Sequence, residues 1–112
     1  MDYETLEHLR RTLLGRRVSL LERRRQALAD ESELLADREP DWEDVASART
    51  AASLIEGLSE QEREALARID STLDRMERGT YGICSVCRDA IDEDRLRAVP
   101  DTERCGRCAF AP

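Results

Sequence analysis

The sequence contains no lysine, one histidine, one phenylalanine and one tryptophan, and only 4% of its 112 residues are aromatic. Without lysine, all 18 positive charges are arginine, a residue that favours planar paired contacts over diffuse ones. With 38% charged residues and a mean hydropathy of -0.63, the composition argues against a large globular core. There is no uncharged apolar run of eighteen residues to span a bilayer, and no apolar segment near Met1 that reads as an export signal. The lone histidine, His8, lies one helical turn from Glu4 and Thr12 and reads as a surface residue. No nucleophile–base pair and no open metal position can be assembled, so an enzyme is the least supported class. A net charge of -7 opposes a phosphate backbone and favours a protein partner over nucleic acid.

What the sequence does have is four cysteines in two pairs: Cys84-Ser-Val-Cys87 and Cys105-Gly-Arg-Cys108. The spacing is C-x2-C, 17 residues, then C-x2-C. Two residues between thiolates let one tight turn present both sulfurs to a single ion, and two such turns close a tetrahedral S4 site. That set leaves no position for water, so the expected cofactor is one structural Zn2+ held by Cys84, Cys87, Cys105 and Cys108. Gly106 is expected to relieve the second knuckle by adopting φ > 0. Disulfides, a thioredoxin-type redox pair and an iron–sulfur centre fit the spacing and context less well. Arg88, Arg95, Arg97, Arg104 and Arg107 cluster in this module. They serve either to offset the negative thiolate centre and its acidic neighbours or to contact a nucleic acid.

Upstream, residues from Asp2 to Asp37 include one glycine, Gly15, and no proline. Apolar residues recur every seven positions at Leu6, Leu13, Leu20, Ala27 and Leu34, with Leu14, Leu21, Leu28 and Leu35 in a second row. This pattern predicts a long coiled-coil helix. The helix should stop before Pro40, and Asp41-Trp42-Glu43-Asp44 should start the next one, with Asp41 as cap and Glu43 and Asp44 facing the positive helix end. Its seam reads Val45, Ala48, Ala52, Ile55, then Ser59 and Glu62, then Leu66, Ile69, Leu73 and Met76. Gly57 and Ser59 mark a weak point or bend in the middle, and Gly79 is placed as a left-handed C-cap. Asp44 to Arg78 would span roughly 50 Å as a helix. The expected fold class is therefore mainly α. A long antiparallel helical hairpin (coiled coil) occupies 1–78, with its tip near 38–46, and a small C-terminal four-cysteine zinc-finger module occupies 79–112.

The module reads Cys84-x2-Cys87-x3-Ile91-x3-Arg95-x4-Pro100-x4-Cys105-x2-Cys108, preceded by Gly79-Thr-Tyr-Gly82. This resembles the C4-type zinc finger of the DksA/TraR family in ligand spacing and in its Ile, Arg and Pro positions. The tip, Asp41-x-x-Asp44-x-Ala46, resembles the Asp-x-x-Asp-x-Ala motif of that family, and its distance from Cys84 agrees as well. The resemblance covers residues 38–108. It implies a cytoplasmic, monomeric regulator of transcription that binds bacterial RNA polymerase directly, not promoter DNA. By the same resemblance the coiled coil enters the secondary channel, and Asp41, Asp44 and Ala46 act near the catalytic centre. Trp42 is either an anchor for the partner or packing at the turn.

The chain departs from the family pattern in two places. Ala109-Phe110-Ala111-Pro112 stands where a further helix follows the finger. Of three basic positions that would contact ppGpp, only Arg68 is basic, with Val99 and Ala109 at the others. Two other functions stay open: a zinc-ribbon nucleic-acid binder using the finger arginines, and an adaptor whose zinc only staples the helix ends together.

Overall fold

The computed structural model describes residues 1–34 and 51–110, excluding the side chains of 31–34 and 51–52. Five helices occur among them: α1 (Tyr3–Leu34), α2 (Ala51–Glu56), α3 (Glu60–Arg78), α4 (Glu93–Ala98) and α5 (Gly106–Ala109). The only β feature among these residues is an isolated antiparallel bridge between Ile83 and Ala90. No helix among them is long and apolar enough to cross a membrane. The expected stop before Pro40 and the expected start at Asp41 both lie outside the described residues.

The start of α1 is set by Asp2, whose Oδ1 accepts the Thr5 N–H at 2.7 Å. That bond to an otherwise orphaned donor holds the Asp2 carboxyl below its ordinary value. The second long helix is interrupted, as Gly57 and Ser59 suggested. Beyond the break, Ser59 and Glu62 form a reciprocal capping box: Ser59 N–H donates to Glu62 Oε1 and Glu62 N–H to Ser59 Oγ, both at 3.1 Å. The carbonyls left over at the end of α2 are met by Arg63, which donates to Glu56 O and, at 3.2 Å, to Leu58 O. At its other end α3 closes in a Schellman motif. Gly79 takes φ 76, its N–H reaches Met76 O at 3.3 Å, and Thr80 N–H reaches Arg75 O at 3.0 Å.

The chain divides into two compact units, Met1–Arg16 with Ala67–Pro112, and Arg17–Leu66. The first packs the start of α1 with the end of α3 and the cysteine module around one core. Leu9, Leu13, Ile69, Met76, Cys84, Ile91, Leu96 and Cys105 are buried there, with Leu6, Leu73 and Tyr81 against them. The second packs Leu20 of α1 with Leu58 and Leu66, flanked by Leu21 and Ile55.

The strict seven-residue row needs correction. Leu9, absent from that row, is 2% exposed, while Ala27 is exposed. An antiparallel seam alternates steps of three and four, so a row of sevens captures one of its two positions. The second row fares worse, since Leu14 is exposed and Leu21 and Leu28 are half-buried. At the break the seam position falls to Leu58, which is buried, and not to Ser59, which is exposed.

Candidate metal centre

Two short backbone devices bring the four cysteines together. In the first, residues 82–91 fold back on themselves: Cys84 N–H donates to Asp89 O and Ile91 N–H to Gly82 O, each at 2.8 Å. Gly82 permits this with φ 85, and a Cβ there would also lie 3.3 Å from Met1 Cε. Arg88 N–H closes the knuckle onto Cys84 O at 3.0 Å. In the second, Cys105 stands at the N-cap of α5 and Cys108 falls in its first turn, tied by the Ala109 N–H to Cys105 O at 2.9 Å. Ser85 N–H, donating to Glu103 O at 2.9 Å, joins the two knuckles. The expectation for Gly106 is therefore wrong. The second pair opens a helical turn, which any residue can adopt, and the left-handed residue of the first knuckle is Arg88 at φ 67.

The four sulfurs lie within 4.8 Å of one another, and Cys87 Sγ is 3.7 Å from Cys105 Sγ. A tetrahedral zinc with Zn–S bonds near 2.3 Å needs an S···S edge of about 3.8 Å, so the set fits one zinc ion. All four are free thiols, far from bonded sulfur distances. Cys84 is fully buried and Cys105 nearly so. Their environment already favours thiolate at those two positions. Backbone N–H groups of Cys87, Cys105 and Val86 lower Cys84 to about 6, and the Cys108 N–H lowers Cys105. Cys108 is pushed up to about 12, first by its hydrogen bond with Cys105 and then by burial. Cys87 is also raised: the Asp89 N–H pulls it down, but burial and the facing sulfurs of Cys84 and Cys105 outweigh that. A bound zinc would hold all four as thiolates and close the site to water, which suits scaffolding and not hydrolysis.

The residues around the sulfurs fix the module to the helices. Ile91, Leu96 and Pro100 are buried, and Tyr81 donates its hydroxyl to Pro100 O at 2.9 Å. Burial pushes the Tyr81 phenol up to about 12, with Arg75 opposing and Asp101 adding to the shift. Arg95 bonds Arg104 O at 2.9 Å and Thr102 Oγ1 at 3.3 Å, bracing the loop before Cys105. Sequence reasoning missed the link made by Arg75, which donates to Glu103 Oε1 at 2.6 Å, Ser71 Oγ at 3.2 Å and Thr72 Oγ1 at 3.1 Å. Thr72 is fully buried, and its hydroxyl also donates to Arg68 O at 2.7 Å. A threonine one step off an apolar seam, three residues before an arginine, was the available signal.

The profile of the prokaryotic DksA/TraR C4-type zinc finger matches residues 79–111. An uncharacterised protein of Aquifex aeolicus is 39% identical over 97% of this chain and 77% of its own length. The solved structure of transcription factor DksA2 from Pseudomonas aeruginosa superposes with a TM-score of 0.67 at 29% identity, over 97% of this chain and 83% of that one. The chain belongs to the DksA/TraR family. A further relative, the RNA polymerase-binding transcription factor DksA of Caulobacter vibrioides, is 28% identical over 89% of this chain and 70% of its own length.

Within this DksA/TraR chain, Arg68, Val99 and Ala109 line one groove of about 380 Å3 together with Arg95, Asp101, Thr102, Glu103 and Arg104. Arg68 is turned onto Asp101, with its Nε 3.4 Å from Oδ2. Two carboxylates thus share the groove with the basic groups. Of the finger arginines, Arg97 is engaged by Glu93 and Arg107 by Asp89, both at 2.9 Å. Asp89 holds the Arg107 guanidinium above its ordinary value. The tip residues Asp41, Trp42, Asp44 and Ala46 lie outside the described residues.

Proposed function

We propose that this chain regulates transcription by binding bacterial RNA polymerase directly. It would insert a helical arm, residues 1–78 with a tip near 38–46, into the secondary channel, with the finger at 79–112 holding the base of the arm. The observation that carries this reading is the match to a relative named as an RNA polymerase-binding transcription factor over 89% of the chain, arm and finger together. Asp41 and Asp44 are the proposed effector groups, with Ala46 beside them and Trp42 at the turn. Two acidic groups at the end of an arm are suited to basic residues or to the surroundings of a bound Mg2+. A net charge of -7, with Arg95, Arg97 and Arg107 committed to partners inside the finger, weighs against binding to naked DNA.

The test compares wild type with Asp41→Asn/Asp44→Asn for binding to bacterial core RNA polymerase and for effect on transcription in vitro. Binding by both proteins, with the transcriptional effect lost in the double variant, is the expected result. If wild type does not bind polymerase, the reading fails, and a zinc-stapled coiled coil with another partner takes its place.

A further inference from the structure

Three residues of the finger region have φ > 0: Gly79, Gly82 and Arg88. The first two are glycines, which reach that conformation freely. Arg88, at φ 67, is the only non-glycine residue with positive φ among those described, and arginine is disfavoured there compared with glycine, asparagine or aspartate. The knuckle requires the turn, since the Arg88 N–H closes onto Cys84 O, but nothing in the turn requires the side chain.

Its surroundings set this side chain, like that of the exposed Arg104, apart from the other three finger arginines. Arg95, Arg97 and Arg107 each have an acceptor within the module, whereas the exposed Arg88 guanidinium has no hydrogen-bond or ion-pair partner among the described residues. The adjacent carboxylate, Asp89, is taken by Arg107 at 2.9 Å. On the same turn Val86 is 59% exposed, and Ile83 at the start of the knuckle is 43% exposed. A positive group that is not neutralised, beside bare aliphatic surface on a rigid turn, suits a carboxylate bordered by apolar side chains.

We propose that Arg88 is a partner-contacting residue, and that the knuckle Ile83–Arg88 docks on an acidic, apolar-edged patch of RNA polymerase. The identity of the partner rests on the function proposed above. The turn's own preference for glycine is overridden to place a guanidinium at this point.

The alternative role for Arg88 is to offset the charge of the thiolate centre, and the two roles predict opposite behaviour on substitution. Zinc-loaded full-length wild type, Arg88→Gly and Arg88→Asn are compared in two assays: retention of zinc against a chelator and binding to core RNA polymerase. Glycine and asparagine both suit the left-handed turn and both remove the charge. The expected result is zinc retention equal to or better than wild type in both variants, with polymerase affinity weaker by about tenfold in both. Faster zinc loss in the variants would assign Arg88 to the metal centre and overturn the proposal, as would wild-type affinity in either variant. Failure of wild type itself to bind would overturn both this proposal and the polymerase reading. Binding by wild type with unchanged variants would overturn this one alone.

Discussion

Gly57 sits at the break between α2 and α3 for the sake of its neighbour and not its backbone. Its φ lies outside the left-handed region, so alanine would fit the chain, and an alanine there should stabilise the protein by about 0.4–1 kcal/mol through the unfolded state. The obstacle is Arg24. A Cβ on Gly57 would lie 2.6 Å from Arg24 Cζ and closer still to its Nε and Nη2, so the guanidinium must leave. Arg24 lies half-buried on α1, with its Nε buried and unpaired. Displacing it pulls packed stem methylenes into water at about 0.8 kcal/mol each, partly offset by hydration of the buried, unpaired Nε. Gly57→Ala alone is therefore expected to be neutral or destabilising by up to about 1 kcal/mol. In an Arg24→Ala background the obstacle is gone, and the same substitution should stabilise by about 0.4–1 kcal/mol. Urea unfolding of the four zinc-loaded proteins gives the coupling energy directly, expected at about 1–1.5 kcal/mol. Equal effects of Gly57→Ala in both backgrounds, within about 0.5 kcal/mol, would refute the account of the break.

Zinc removal should abolish amide protection at Cys84, Ile91 and Leu96 in hydrogen exchange while leaving most far-ultraviolet helix signal, because α4 and α5 hold only 6 and 4 residues; protection that survives stoichiometric chelation would contradict a structural zinc. Ser59→Ala should destabilise by about 1 kcal/mol through the lost cap. Ser59 N–H holds the Glu62 carboxyl below its ordinary 4.5. The stabilisation from Glu62 is therefore complete above pH 4.5 and lost as pH falls through the depressed value, so the acid limb of a melting-temperature profile should flatten in Glu62→Gln. Arg75→Ala, which removes bonds to Glu103, Ser71 and Thr72, should cost about 1–3 kcal/mol in denaturant unfolding. Arg78→Ala, which breaks only an exposed i,i+4 pair with Asp74, should fall within about 0.5 kcal/mol of wild type.

Much of the helical part could be read because local rules and packing agree there. Ser59 and Glu62 interrupted an otherwise apolar row and Gly57 marked the same place, and each has a job at the break: Gly57 clears space for Arg24, and the others cap α3. Gly79 followed a helix that ends in Glu77 and Arg78, where a left-handed closing residue is expected. Leu9 was missed by counting sevens, an error of register and not of type. Arg24 and Arg75 could not be found that way at all. A long cationic side chain can lay its stem along a seam while its head finds a carbonyl or carboxylate far off in sequence, and hydropathy scores it as solvent-facing. Glu103 lies 28 residues beyond the Arg75 it binds.

The finger was legible in its ligands and illegible in its turns, for one reason. Sulfur identity and spacing are set by the metal's tetrahedron, which tolerates little, so Cys84, Cys87, Cys105 and Cys108 announce themselves in the sequence. The backbone between them has more than one way to satisfy the same tetrahedron. Here one pair uses a left-handed residue just past its second cysteine and the other a helical turn, which is why Gly106 misled and Arg88 gave no sign. Cys84 and Cys105 are buried among Leu9, Leu13, Ile69 and Met76, so two of the four sulfurs are part of the packing that joins the start of α1 to the end of α3. Four thiolate donors would fill the tetrahedron of one zinc ion, the arrangement of a structural site. Their place in the core makes the centre a staple between the knuckles and the two helices of the same unit.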